Sequence, residues 1–190
     1  MIVCVLLAAG ESSRMGRPKS LLPFGDATFS RSVLTAMLKG GARSVFVVVG
    51  SDPGPIVAHL CDLGLRFIYN SSWPKGQLSS LQAAIRACPK SVTGILVSPV
   101  DQPGLRSSTV RQVLRAARRF PGKIVVASHR GRRGHPAVFP RRFFKELLSA
   151  PHSKGARVVV RKHLKDRVDV ATSDPAVVRD IDTVREYSSL

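Results

Sequence analysis

Carboxylates are scarce in this chain of 190 residues: 12 Asp and Glu stand against 30 Lys and Arg, a formal charge of +18. Any metal site must therefore draw on a short list of acidic residues. Cysteine is scarce too. Cys4, Cys61 and Cys88 lie far apart with no C-x-x-C pair, which excludes a zinc site or a disulfide framework of the usual spacing. They read as buried apolar thiols in a reducing cytoplasm. Aromatic residues make up only 6%, too few for the interleaved stacking platform that a nucleic-acid binder needs. No apolar run approaches the roughly 18 residues required to cross a bilayer. The apolar residues 2–9 lack a basic leader and a cleavage context, so they read as an opening strand and not a signal segment. Internal repeats and low-complexity segments are likewise missing.

What remains is a globular composition, 44% hydrophobic, in a chain long enough for one domain over residues 1–190. The positive balance attracts polyanions: nucleic acid, nucleotides or a phosphorylated substrate. An arginine-rich solvated surface would produce the same number, so charge alone does not choose among them.

Short β-branched runs alternate with amphipathic segments. Residues 2–7, 44–49, 94–98 and 123–127 read as buried strands, because they are nearly continuous in Val, Ile and Leu. Ser30 reads as the N-cap of a helix through Lys39 that ends at Gly40-Gly41. Residues 79–87 and 107–119 read as helices stopped before Pro89 and Pro121, the first capped by Ser79. Residues 129–134 read as a basic connection into an extended segment over 136–139. Helices over 141–149 and 155–164, a strand near 167–170 and a short terminal helix complete the pattern. Such alternation predicts an α/β fold: a Rossmann-like three-layer α/β/α arrangement around a mostly parallel sheet. Ligands in such sheets bind beyond the carboxyl ends of the strands. Two loops fall there, the one following the first strand and Pro99-Val100-Asp101-Gln102-Pro103 following residues 94–98.

The first of these loops carries the chemistry. Gly10 and Gly16 allow backbone conformations that aim successive N–H groups at phosphate oxygens. Arg14 adds a bidentate grip and Lys19 a compact charge. Arg17 follows Gly16 where a Walker loop would place lysine, and the dinucleotide fingerprint is absent. A plain turn after a strand would use the same glycines, but it would not need Arg14 and Lys19.

The run LLAAGESSRMGRPKSLLPFG, residues 6–25, resembles the signature of the molybdenum cofactor cytidylyltransferase family and its guanylyltransferase relatives. Gly76-Gln77-Leu78-Ser79-Ser80-Leu81, the Asp101 turn, Gly134-His135-Pro136-Ala137-Val138-Phe139, Gly155-Ala156-Arg157 and Asp180-Ile181-Asp182-Thr183 are similar to later segments of that family, in the same order. The resemblance spans essentially the whole chain. It implies the nucleotidyltransferase fold and transfer of CMP from CTP to the terminal phosphate of molybdopterin, with release of pyrophosphate in the cytoplasm. It implies nucleotide contacts from Leu7, Ala8, Ala9, Gly10, Ser12, Ser13, Gly16, Gln77, Ser79 and Ser80, and catalytic roles for Lys19, Arg14 and Asp101. The Ala8-Ala9 pair resembles the cytidylyl branch, where guanylyl relatives tend toward two glycines. Further implied partners are a recipient molybdoenzyme or its chaperone.

Transfer between two anions calls for a magnesium ion held by one or two carboxylates. Asp101, just past a buried strand, is the first candidate ligand, although an Asx turn would also place an aspartate there. Asp182 is the second, with Asp180 as competitor. Thr183 and Glu186 form the pattern of a capping box, which offers these aspartates a purely structural role as well. Val184 stands where the family usually has proline. On the acceptor side His135 and Arg133 are the candidates, behind Arg130 and Arg132, although a solvated basic loop would look alike. His59, His129, His152 and His163 show no ligand spacing. Trp73 either walls the nucleotide site or anchors packing. Other readings are a different small-molecule nucleotidyltransferase, a redox protein on the same scaffold, and a nucleic-acid binder; the last is disfavoured because a binder would not need Asp101 and Asp182 beside an intact phosphate loop.

Overall fold

The computed structural model describes residues 1–12 and 15–189. Among these, seven strands form the main sheet: β1 (Ile2–Ala8), β2 (Val45–Val49), β3 (Arg66–Tyr69), β4 (Gly94–Pro99), β5 (Ile124–His129), β6 (Arg132–Pro140) and β7 (Arg167–Ala171). Their order across the sheet is β3-β2-β1-β4-β6-β5-β7. Strand β6 runs antiparallel to both β4 and β5, and the remaining pairs in the sheet are parallel. The sheet is thus mostly parallel, with one reversed strand inserted near its middle.

Both faces are covered, which is why the central strands are apolar without a break. Along β1, Cys4, Leu6 and Ala8 point into one core and Val3, Val5 and Leu7 into the other, the period-two alternation of a strand buried on both sides. The first core is closed by α1 (Phe29–Lys39), α2 (Pro53–Leu60) and α4 (Ser107–Arg119). The second is closed by α3 (Gln77–Ala87), α5 (Phe144–Ser149) and α6 (Arg157–Lys162). The result is the three-layer α/β/α arrangement that the alternation predicts.

Local details depart from the sequence reading. Helix α1 is capped by Thr28, whose Oγ1 accepts from the Arg31 amide at 3.4 Å; Ser30 turns inward and donates to the Ser20 carbonyl at 2.6 Å. Helix α3 begins earlier than expected, at Gln77, because Gly76 with φ 93° makes the turn into it. Ser79 is therefore inside the first turn and not its cap. The basic connection over 129–134 is in fact a tight hairpin: Arg130 (φ 48°) and Gly131 (φ 77°) form a two-residue turn, so His129, Arg132 and Arg133 are strand residues. The helix expected over 141–149 starts with a 3-10 turn through Phe143, and the one over 155–164 shortens to α6. Strand β3 and helix α2 carried too little periodicity to be expected. Of the thiols only Cys4 is buried, its pKa pushed up to about 12 by that burial; Cys88 is half-buried and Cys61 exposed.

The C-terminal segment returns across the sheet edge toward the first loop. Helix α7 (Val184–Tyr187) is held by a complete capping box, Thr183 accepting from the Glu186 amide while Glu186 accepts from the Thr183 amide. Tyr187 packs edge-on against Phe29 with ring centroids 5.8 Å apart and donates its hydroxyl to the Pro23 carbonyl. Residues 175–178 also lie against β6 so closely that a Cβ on Gly134 would overlap the Val177 carbonyl oxygen. Backbone on backbone leaves no flexible side chain to yield. Gly134→Ala is expected to cost about 3 kcal/mol or more of stability, measured by urea unfolding. A loss under about 1 kcal/mol would show that the 175–178 segment moves aside.

Candidate active site

Two cavities meet at the carboxyl ends of β1 and β4, sharing Leu7 and Gln77 as a common wall. The smaller, about 320 Å³, is bounded by the loop after β1, the first turn of α3 and the turn after β4. Its position follows from the sheet: β1 and β4 are neighbours, and the Val100 amide donates to the Leu7 carbonyl at 3.1 Å, so both strands release their loops at one level. Ala8, Ala9, Gly10, Ser12 and Lys19 reach this cleft from the first loop, and Gln77 and Ser80 from α3. Asp101 closes it from below.

The loop is shaped by its own polar groups. Ser12 takes φ 58°, and its hydroxyl accepts from the Lys19 amide at 3.0 Å, drawing the far end of the loop back to its start. Gly16, with φ 67°, turns the chain between them and does not line the cleft. Ser13 and Arg14 lie outside the described residues. Gly50 sits beneath the loop, where a Cβ would overlap the Ala9 carbonyl and crowd Trp73. That glycine carried no sequence signal, since it follows β2 in a run with no motif. Trp73 lines the cleft and also packs against the second core, so both readings of it describe the same side chain. Ser79 does not line the cleft. It is 2% exposed, donates to the Gly76 carbonyl at 2.7 Å and accepts from Asn70 at 2.9 Å, which fastens the turn presenting Gln77.

Beneath the cleft Asp101 feels the charges of Asp180, Asp182 and the Lys19 ammonium. Lys19 is ion-paired to Asp182, and the Lys19 side chain is only 11% exposed. Gln102, 1% exposed, donates to Asp180 at 2.7 Å, and the Ile181 amide donates to the Asp101 carbonyl at 2.9 Å. The C-terminal segment is thereby stitched to the turn after β4. Asp101 itself is left poorly compensated. Its Oδ1 is buried without a hydrogen-bond partner in the protein. Burial raises its pKa to about 7, Asp180 and Asp182 add repulsion, and Lys19 only partly opposes them. A carboxylate with an orphaned buried oxygen, facing a phosphate-sized cleft, is the electrostatic signature of a position that a cation completes. Among the described residues no three His, Cys, Asp or Glu side chains are grouped to hold a metal alone. Magnesium does not need such a cage when phosphate oxygens and water complete its shell. Asp101 and Asp182 with a triphosphate fit it.

The larger cavity, about 560 Å³, lies between β6 and α6. Its floor is apolar, with Leu78, Leu81, Val97 and Phe139, and its rim carries Arg133, Arg157, Arg161 and Arg167. Arg133 donates to Asp169 at 2.8 Å, and Arg167 shares that carboxylate, which fixes both guanidinium groups at the rim. His135 lines the cavity next to the carboxylate cluster; burial pushes its imidazole pKa down while the Asp180 charge pulls it up. Sequence reasoning singled out Arg133 and His135 as acceptor candidates; it placed Arg157 in a family-like segment without a role, set His152 aside for want of ligand spacing and passed over Arg161, because no local motif links α6 to β6.

A glycine-bearing loop, buried carboxylates and an adjoining arginine-rimmed cavity at one edge of a three-layer sheet are the features shared with a nucleotidyltransferase-type domain. The chain belongs to the MobA-like NTP transferase domain family, which matches residues 4–168. It is 36% identical to the nicotine blue oxidoreductase of Paenarthrobacter nicotinovorans, over 98% of this chain and 94% of that protein. It is 24% identical to the molybdenum cofactor cytidylyltransferase of Escherichia coli, over 98% of this chain and 93% of that one. The crystal structure of Rv0371c from Mycobacterium tuberculosis H37Rv superposes with a TM-score of 0.88 at 28% identity, covering 99% of this chain and 95% of that chain. The same protein has been crystallised in complex with manganese, and that structure superposes with a TM-score of 0.84 at 27% identity. None of the helices among the described residues is long and apolar enough to cross a membrane.

The Asp101 environment sets a pH dependence. Its folded pKa, about 7, lies above the unfolded value, so the folded state holds the proton more tightly between the two. Stability is therefore lost as pH rises through that interval, at up to roughly 1.4 kcal/mol per pH unit. Asp101→Asn is expected to melt higher than the parent at pH 8 and to match it at pH 4, read by thermal denaturation without divalent ions. A lower melting temperature for the variant at pH 8 would contradict the charge assignment.

Proposed function

We propose that the protein transfers CMP from CTP to the terminal phosphate of a molybdopterin-type acceptor. The observation that carries this reading is the junction of the two cavities: a phosphate-sized cleft bearing Lys19 and Asp101 opens into an arginine-rimmed space with an apolar floor. An acceptor phosphate oxygen forms the new bond to the α-phosphorus, the bond to the β-phosphate breaks, and pyrophosphate leaves with that electron pair. Because both partners are anionic, alignment and charge neutralisation supply most of the acceleration. The acceptor phosphate is already ionised near neutral pH, so no general base is required, and His135 serves to place it.

Lys19 neutralises charge on the attacked phosphate, and Arg14 holds the departing pyrophosphate. Asp101 and Asp182 would hold the magnesium ion, which supplies Lewis-acid charge on the phosphate oxygens. The manganese complex of the mycobacterial relative supports a divalent cation in this fold. Asp180 is the weaker candidate ligand, since one of its oxygens is engaged by Gln102. The small Ala8-Ala9 pair at the cleft favours cytosine, with GTP as the competing nucleotide. The recipient of the product would be a molybdoenzyme or its chaperone, reached in the cytoplasm.

A second reading rests on the oxidoreductase relative, to which identity extends over nearly the full length of both chains. Pyrophosphate release with each of the four nucleoside triphosphates, with and without molybdenum cofactor, separates the two. The expected result is acceptor-dependent release that is fastest with CTP. Lys19→Ala and Asp101→Ala are each expected to lower kcat by roughly 100-fold or more. Equal rates with GTP would remove the cytidylyl assignment. Reduction of nicotine blue without any nucleotide-dependent pyrophosphate release would favour the redox reading.

A further inference from the structure

We infer that His152 contacts the acceptor in the larger cavity and that Gln82, buried behind it, is a positioning residue acting through His152. This inference rests on the reading that the larger cavity receives the acceptor. His152 lines that cavity from the 3-10 turn at His152–Lys154, between α5 and α6. Gln82 stands on α3, within a turn and a half of Gln77 and Ser80, which border the smaller cleft, and is 3% exposed.

The hydrogen bonds around Gln82 determine how the imidazole is held. Its Nε2 donates toward the carbonyls of Leu147 (3.0 Å), Leu148 (3.3 Å) and Ala150 (3.4 Å), at the end of α5. A helix of six residues leaves these carbonyls without intrahelical donors, and the two amide protons are committed to them. The remaining Gln82 group, Oε1, can only accept. It lies 3.0 Å from His152 Nε2, so that nitrogen must carry the proton. In the neutral ring Nδ1 is then the hydrogen-bond acceptor. The four arginines of the rim, Arg133, Arg157, Arg161 and Arg167, can only donate, while Gln77, His135 and Ser153 add mixed donor–acceptor groups to the lining. Guanidinium groups recognise the anionic part of an acceptor; an imidazole fixed as an acceptor recognises an N–H or O–H on its uncharged body. Gln82 also makes the nucleotide helix and the acceptor wall one piece, since it belongs to α3 and grips the segment leading into α6.

The test combines steady-state kinetics with nitrogen NMR of the histidine rings. His152→Ala is expected to raise the acceptor KM about tenfold with kcat and the nucleotide KM unchanged. His152→Asn, which keeps an acceptor oxygen near the Nδ1 position, is expected to recover most of that loss. Gln82→Leu should raise the acceptor KM similarly, and the double variant should be no worse than either single one, because the two act as a unit. In the parent protein the two-bond spectrum should show His152 protonated at Nε2, and Gln82→Leu should mix the tautomers. An acceptor KM within twofold of the parent for His152→Ala would overturn the inference. So would a parallel rise of nucleotide and acceptor KM in Gln82→Leu, or a parent His152 protonated at Nδ1. If the parent transfers no nucleotide to molybdopterin, the functional reading fails by itself. The inference is then decided by titrating molybdopterin against the NMR spectrum: movement of the His152 resonances sustains it, and unmoved resonances overturn it.

Discussion

The placing of Asp101 among the charges of Asp180, Asp182 and Lys19 governs the arrangement of the rest. Like charges placed this close repel, and burial adds to the cost, as the raised pKa of Asp101 records. A fold does not gather a quarter of its 12 acidic residues at one strand end for stability. The remaining contacts there hold the cluster together against its own repulsion. Gln102 neutralises one oxygen of Asp180 by donation, Lys19 engages Asp182, and the Ile181 amide pins the backbone between them. Farther out, the capping box of α7 and the Tyr187 contacts anchor the segment that carries two of the three carboxylates.

Charge elsewhere has a matching logic. The protein is strongly basic, yet the lining of the nucleotide cleft contributes one lysine and two carboxylates, Glu11 and Asp101, from its described residues. The excess of arginine becomes useful at the second cavity, where four guanidinium groups surround an apolar floor. Long-range attraction brings anionic ligands toward the molecule as a whole; on the proposed reading, the local carboxylates then favour the ligand that arrives with a cation. Glu11 lies in the family-like run but was given no role there, and its place in the lining of the cleft is visible only once the loop is folded.

How much of this was legible in the sequence depends on the range over which each signal acts. Strands β1, β2, β4 and β5 are buried on both faces, so their unbroken apolar runs announce them, and a parallel sheet places whatever follows β1 and β4 at one edge. Lys19 and Asp101 could therefore be singled out together although 82 positions separate them. The Thr183–Glu186 capping box formed as the pattern implies, but two other expected caps did not. Ser30 and Ser79 look like caps, but tertiary contacts recruit both hydroxyls inward, to Ser20 in one case and to Gly76 and Asn70 in the other. The wall formed by α6 was invisible for a different reason. The segment leading into it is held by the buried amide of Gln82, through the carbonyls of Leu147, Leu148 and Ala150 and the His152 ring, contacts that no local pattern announces.

The reversed strand has a consequence for how such a protein diversifies. Because β6 runs against its neighbours, it presents its amino end, Arg133 to His135, where the parallel strands present their carboxyl ends. The wall of the larger cavity thus comes from a hairpin and the α5–α6 segment, neither of which contributes to the loop after β1. On the proposed reading, new acceptor chemistry can be written into those two stretches while the nucleotide half stays untouched, a division of inheritance that would let one ancestral scaffold serve trades as different as those its relatives are named for.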